Sequence, residues 1–238
     1  MSNTQSSSAD ADTGTPVAGH AARAPGPATL VGRYVLLEPL DESHAESLFA
    51  ALEEEDQNAL QRFTSDPVCN SLPELEHLIA SKRALEHAQY FACIDHIAGI
   101  VLGFAALMRA DRDHRVVEIG NVLFTGALRR RRAGTEVIYL LLRHAMEDLG
   151  YRRVEWKCNS LNIRSRNAAL RFGFSFEGVF RQHMIVKGHN RDTAWFSMLD
   201  HEWAARREAF EAWLEPANFD AFGTQFTALS ELNGVGGS

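Results

Sequence analysis

The segment Val116-Val-Glu-Ile-Gly-Asn-Val-Leu-Phe-Thr-Gly-Ala-Leu-Arg-Arg-Arg-Arg-Ala-Gly-Thr-Glu136 joins a strand-like run to four consecutive arginines and then to a helical pattern. Arg129 to Arg132 fall at or just before the helix N-terminus, where the peptide dipoles already place positive charge. Four like charges also repel one another there. An anion bound to the free N–H groups of the first turn would remove the conflict, and phosphate is an anion that such N-termini take. Gly134 has no Cβ, so an anion could approach the backbone closely. Two other readings of the arginines stay open on these residues alone: a solvated basic turn and an RNA contact.

A second segment, Asn159-Ser-Leu-Asn-Ile-Arg-Ser-Arg-Asn-Ala-Ala-Leu-Arg-Phe-Gly-Phe174, directly follows a strand-like run. Asn162 can cap a helix, and Ser165 lies three residues on, in its first turn. Asn and Ser at a helix start are commonly caps and nothing more.

The elements that must position these residues follow from periodicity. Arg33–Glu38 reads as a strand stopped by Pro39, and Asp41 can cap a helix through Phe49 and Leu52. Pro73 and Glu74 suit the first turn of a helix ending near Leu85. Tyr90–Ile94, Ile100–Met108 and Val116–Phe124 are strand-like runs with short gaps, which predicts an antiparallel meander. Gly134, Ile138, Leu141, Ala145 and Leu149 recur at helical spacing, and Gly150 ends that helix. Arg153–Cys158 is the next strand, and Asn162 begins a short helix ended by Gly173. Phe174–Phe180 and His183–Lys187 are extended, and a turn at Gly188–Asn190 leads to a final strand, Thr193–Leu199. Trp203, Phe210 and Trp213 punctuate a closing helix. The sum is a mixed α/β (α+β) fold with helices on the faces of a sheet.

The 238 residues suit one domain with tails, and 45% hydrophobic and 23% charged residues are ordinary for a globular chain. Residues 1–28 are small and polar and read as a disordered N-terminal tail. Residues 29–215 form the domain, and residues 216–238 a partly disordered C-terminal extension. The net charge of −7 argues against nucleic acid as a partner, because phosphate neutralisation dominates that affinity. Cys69, Cys93 and Cys158 lack metal-ligand spacing and read as reduced thiols of a cytoplasmic protein. No apolar run reaches the length of a membrane span, and no metal is expected.

Together the two segments resemble the GNAT superfamily of acetyltransferases, most closely the branch of ribosomal-protein N-terminal acetyltransferases. The resemblance runs over most of residues 30–203. It rests on Gly32-Arg-Tyr-Val-Leu-Leu-Glu-Pro-Leu40, Glu118-Ile-Gly120, Ala133-Gly-Thr-Glu136, Leu149-Gly-Tyr-Arg-Arg-Val154, and Asn162-x-x-Ser165 leading to Phe172-Gly-Phe-Ser-Phe-Glu-Gly178. Asp192 and Trp203 also stand where that branch usually has Asp and Trp. The implied fold is a mixed, mostly antiparallel twisted sheet with helices on both faces. The implied reaction is direct attack by a primary amine, either a protein N-terminus or a small molecule, on acetyl-CoA as cosubstrate. The alternative is a non-catalytic acetyl-CoA-binding protein. The family's pyrophosphate loop reads Gln/Arg-x-x-Gly-x-Gly/Ala, and this chain has Arg129-Arg130-Arg131-Arg132-Ala133-Gly134 followed by Thr135. Arg132 therefore replaces a glycine, and guanidinium groups are expected to share in holding the phosphates.

The resemblance also implies backbone N–H donors to the thioester oxygen from Asn121, Val122, Leu123 and Phe124. Asn162 is expected to hold the pantetheine arm. Glu118 is the candidate general base, directly or through water, and Ser165 the candidate proton donor to the thiolate. The competing readings are a paired strand glutamate and a plain cap. His114, His183 and His189 read as solvated, although His183 could line the acceptor site. Tyr139, Trp156, Phe172, Phe174 and Trp195 read as core. The chain is expected to act as a monomer or homodimer.

Overall fold

The computed structural model describes residues 14–234, so residues 1–13 and 235–238 of the two expected tails lie outside the described residues. β1 (Leu30–Val31), β2 (Val35–Pro39), β3 (Ala88–Asp95), β4 (Val101–Asp111) and β5 (Val116–Phe124) pair antiparallel in succession. A crossover then brings β6 (Arg153–Asn159) parallel to β5. β7 (Ser175–Val186) and β8 (His189–Leu199) form a hairpin with β8 inside, giving the sheet order β1-β2-β3-β4-β5-β6-β8-β7. The expected mixed, mostly antiparallel sheet is thus present, with one parallel pair at its centre. β7 is one strand where two extended pieces were expected, and its register shifts between Phe176 and Gly178 and between Phe180 and Met184.

Helices cover both faces. Asp41 accepts the Ser43 N–H at 2.8 Å and starts a 3₁₀ turn, Glu42–His44, that runs into α1 (Ala45–Glu53). The four-residue α2 (Gln57–Leu60) and α3 (Leu72–Arg83), with Pro73 in its first turn, follow. With the sheet they enclose Leu48, Leu52, Ile79, Tyr90, Phe104 and Leu123. On the other face lie α4 (Arg132–Arg143), α5 (Ile163–Arg171) and α6 (Asp200–Leu214), closing over Val117, Ile119, Val137, Leu141, Phe196 and Phe210. α4 is buried on all sides from Gly134 to Leu142, because α6 covers the flank that the sheet does not. Tyr139 stacks on Trp203 there and donates to Glu211 at 2.8 Å. The expected single helix to Leu149 instead passes into a π turn, His144–Asp148, closed by Leu149 N–H to the His144 carbonyl at 3.0 Å.

Residues outside the strands and long helices also dock. Ala22 is buried, and its N–H donates to the Arg112 carbonyl at 2.9 Å. Beyond α6, α7 (Leu229–Leu232) returns to α5, with Leu229 buried and Asn233 Nδ2 donating to the Arg171 carbonyl at 3.0 Å. Among the described residues no helix is long and apolar enough to cross a membrane. The three cysteines are free and buried.

Candidate active site

The parallel pairing of β5 and β6 covers only Val116↔Arg153, Val117↔Val154 and Glu118↔Glu155. Beyond that point β5 continues to Phe124 and β6 to Asn159 without being paired to each other, so the sheet opens at its centre. The β4–β5 register slips by one residue between Ala106↔Gly120 and Phe104↔Leu123, and Asn121 takes a left-handed φ of 47°. Such a bulge bends its strand and strengthens the local twist. The N–H groups of Asn121 to Phe124 that point away from β4 therefore face the opening, where they can meet an oxygen that develops negative charge.

At the end of β5 the chain turns into α4. Arg131 is its N-cap and offers no side-chain hydrogen bond, and the N–H groups of Arg132, Ala133 and Gly134 have no protein acceptor among the described residues. Three free donors at the positive end of a twelve-residue helix suit a phosphate. Thr135 lies one position deeper, its N–H donating to the Arg131 carbonyl at 3.3 Å. The four arginines differ sharply in surroundings. Arg129 pairs with Glu55, which also accepts the Gly126 N–H. The Arg132 guanidinium lies 5.1 Å from the Tyr34 ring and 4.6 Å from that of Phe219, a residue of the C-terminal extension. Arg130 and Arg131 are exposed and join no ion pair among the described residues. Gly134 has a nearer reason to be glycine than the expected anion. A Cβ there would stand 2.2 Å from the Leu128 carbonyl oxygen, so the glycine is required for the loop to pack on the helix.

Across the opening, Asn162 caps α5 by accepting the Ser165 N–H at 3.2 Å. The Ser165 hydroxyl accepts the Trp156 indole N–H at 3.0 Å, which fixes the oxygen while leaving its own proton to donate. The cap reading of Asn162 is thus real, and it is also what aims Ser165. Trp156 packs with Phe172 and Phe174 in the core, as expected.

Glu118 is buried, at the last paired residue before the opening. Its Oε2 takes both Arg109 at 2.7 Å and Lys157 at 3.0 Å. Oε1 receives no hydrogen bond from the described residues and stands over Gly120, where a Cβ would be 2.8 Å away. The paired-glutamate reading therefore holds for one oxygen, and the other is free for a water or an amine. From Glu118 a ladder of alternating charge crosses the sheet. Lys157 also meets Glu155 at 2.6 Å, Arg153 meets Glu155 at 2.8 Å, and Arg153 holds Glu177 through two N–H groups at 2.7 and 2.6 Å. Ser197 donates to Glu177 at 2.7 Å. The Arg153 contact, chiefly, holds the Glu177 carboxyl down at about 2.

Apart from Glu118, the residues of this ladder were not singled out from sequence. The signal was present in β6, where Arg153, Glu155 and Lys157 alternate with the buried Val154, Trp156 and Cys158. A period of two places three charges on one face of a central strand. Lys82 on α3 gave no such signal. Its ammonium meets Asp66 at 2.8 Å and the Asn121 side chain at 3.1 Å, and it lies over the Tyr90 and Phe104 rings. Burial pushes that ammonium down from its ordinary value, and Asp66 opposes the shift. The hairpin closes the far side. Lys187 donates to the Gln61 carbonyl at 3.2 Å, and His183 meets the Thr193 hydroxyl at 2.9 Å while lying edge-on to Phe180. His114, by contrast, is exposed beside Asp111, and His189 is exposed at the hairpin turn. Two surface hollows of about 240 and 210 Å³, against Val17–Ala21 and beside Gly32 and Tyr139, lie away from this opening.

Residues 35–175 match the model of the acetyltransferase (GNAT) domain. The structure superposes with a TM-score of 0.88 on a GCN5-related N-acetyltransferase from Brucella melitensis, 43% identical over 91% of this chain and 98% of the other. A probable acetyltransferase (GNAT family) from Chromobacterium violaceum is 37% identical over 81% and 97%, with a TM-score of 0.76. The ribosomal L7/L12 alpha-N-protein acetyltransferase RimL, 18% identical over 75% and 99% with a TM-score of 0.64, shares the fold. No curated protein matches the sequence.

Proposed function

Because the chain belongs to the GNAT family of acetyltransferases, we propose that it transfers an acetyl group from acetyl-CoA to a primary amine by direct attack. The observation that carries this reading is the parting of β5 and β6 after Glu118↔Glu155 beside the uncapped N-terminus of α4. A phosphate-seeking helix end and a slot lined by strand N–H groups lie together, as a nucleotide thioester requires. Acetyl-CoA supplies the activated acyl group and a thiol leaving group. The chain's own contributions are distributed around the slot. The N–H groups of Arg132, Ala133 and Gly134 hold the pyrophosphate, with Arg130 and Arg131 reaching over it from solvent. Asn162 has a side-chain N–H₂ to spare for the pantetheine arm. N–H groups of Asn121–Phe124 stabilise the thioester oxygen as it gains charge. Glu118 takes the ammonium proton at Oε1, through a water, while Oε2 stays with Lys157. Ser165 gives its proton towards the departing sulfur.

The test is amine-dependent thiol release measured over a panel of amines that includes peptide N-termini, paired with a thermal scan in acetyl-CoA. A ligand that binds only the native state raises stability by about 2.7 kcal/mol at a hundredfold excess over Kd. An unchanged midpoint would overturn acetyl-CoA as cosubstrate. A raised midpoint with no amine-dependent thiol release would favour the non-catalytic alternative.

A further inference from the structure

Arg191 lies on β8, on the sheet face that carries Thr193, Trp195 and the charge ladder. It is the odd member of that face. Arg109, Lys157 and Arg153 share Glu118, Glu155 and Glu177 among themselves in hydrogen-bonded pairs. Arg191 has no ion pair among the described residues, and its Nε is buried without any partner. Four cations therefore face three carboxylates, and Arg191 is the unmatched one. Glu118, Arg109 and Cys158 are the ionisable groups whose fields reach it, and burial pushes its guanidinium below the ordinary value. Glu118 cannot serve as its partner at Oε2, which two other cations already occupy.

Trp195 Nε1, Gln57 Oε1 and Gln61 Oε1 are also buried without hydrogen-bond partners, and Lys187 ties Gln61 to the hairpin that carries Arg191. Arg191 is half-buried, a buried N–H without an acceptor is costly, and the deficit disappears if the ligand brings the anion. The cosubstrate's phosphates belong to the N-terminus of α4, and the thioester is neutral. The anion must then arrive with the acceptor. We propose that Arg191 binds a carboxylate on the acceptor, so that the amine acetylated here belongs to the amino-acid class. A planar carboxylate matches the guanidinium fork. The amine of such a molecule falls on the Glu118 side, where Oε1 is free.

This inference rests on the reading of the site as an acetyltransferase, and its test separates the two. Each of the common amino acids is offered beside its carboxamide, with acetyl-CoA, to wild type, Arg191→Lys and Arg191→Gln. Wild type should prefer the acid by about tenfold or more in kcat/KM, expressed mainly in KM, the scale of one lost charge-assisted hydrogen bond. Arg191→Gln should erase the preference and Arg191→Lys should keep part of it. Carboxamides or neutral-headed peptide N-termini used as well as the acids by wild type would overturn the proposal, as would an undiminished preference in Arg191→Gln. In parallel, 2-hydroxy acids, which carry the carboxylate but no amine, are titrated in the presence of CoA using tryptophan fluorescence. Binding to wild type that is lost in Arg191→Gln supports Arg191 as the carboxylate site even if no amine is acetylated. No binding, or equal binding, overturns it. The thermal midpoint of Arg191→Gln should not fall, because the charge removed has no partner, whereas a structural arginine would cost stability.

Discussion

Glu118 Oε1 and Gly120 share one face of β5 two residues apart, and a Cβ on the glycine would lie 2.8 Å from that oxygen. The glycine keeps open the one carboxylate oxygen that no cation occupies. Gly120→Ala would also bring its methyl to 2.7 Å from Met108 Sδ. Overpacking of this kind costs about 1–3 kcal/mol. The expected outcome is a lowered thermal midpoint together with a loss of kcat. Shortening Met108 to Ala in the same chain should recover stability and leave kcat low. Recovery of both would show that the crowding matters only for packing.

Glu118→Gln keeps the shape and removes the base. It should lower kcat by about 10²-fold or more, the usual scale for general-base loss, with acetyl-CoA affinity almost unchanged. The defect should shrink at high pH, where the amine loses its proton unaided. A wild-type pH–rate profile in the variant would reject Glu118. Lys157 retains Glu155 at 2.6 Å in that variant, so the fold should survive the change.

The arginine run should separate by surroundings. Arg130→Ala and Arg131→Ala should weaken acetyl-CoA, each by a charge-assisted contact of about 1.5–3 kcal/mol. Arg132→Ala should instead lower the thermal midpoint, because its guanidinium rests between Tyr34 and Phe219. A cation–π contact of this kind contributes roughly 0.5–2 kcal/mol. Equal loss of CoA affinity at all four positions, measured by calorimetry, would refute the division.

These assignments also mark what sequence could and could not reveal. The bounds of β5, the cap at Asn162 and the glycine stop after α5 follow from local patterning, and local rules set them. Gly32–Leu40 and Ala133–Glu136 are two separate pieces of the family pattern. Their connection is tertiary: Glu136 accepts the N–H groups of Arg33, Tyr34 and Val35 at 2.8, 2.6 and 3.0 Å. The pairing of Arg109 with Glu118 spans a bulged hairpin, and that of Lys82 with Asp66 joins α3 to a loop. Neither has a spacing rule. The buried Ala22 and Leu229 were also illegible. Ala22 docks a segment too poor in apolar side chains to announce itself, and Leu229 follows Phe219, Phe222 and Phe226 in a segment whose return to α5 is a tertiary contact with no spacing rule.

Acid should act on the fold through Glu177, whose carboxyl falls from its ordinary 4.5 to about 2, chiefly through Arg153. A depressed carboxylate contributes stability that is present above about 4.5 and is lost as pH falls towards about 2. The Glu177 side chain is 40% exposed, so solvent screening weakens the effect. Glu177→Gln should flatten the decline in thermal midpoint across that window and lower the midpoint at neutral pH. An acid limb identical to wild type would show that Arg153 is held by Glu155 alone.

Ser165 should be separable from its support. Ser165→Ala removes the proton donor and should lower kcat without rescue at high pH, since its part follows the attack. The Ser165 N–H to Asn162 bond is made by the backbone and survives the substitution, so the helix start should lose little. Trp156→Phe leaves the hydroxyl in place but deletes the 3.0 Å indole contact that aims it. Its kcat should fall less than that of Ser165→Ala, and the double variant should be no slower than Ser165→Ala alone, because both changes act on one hydrogen bond. The measurement is a double-mutant cycle in kcat at saturating acetyl-CoA. Additive losses would mean that Trp156 acts through core packing with Phe172 and Phe174, and that the serine finds its orientation unaided.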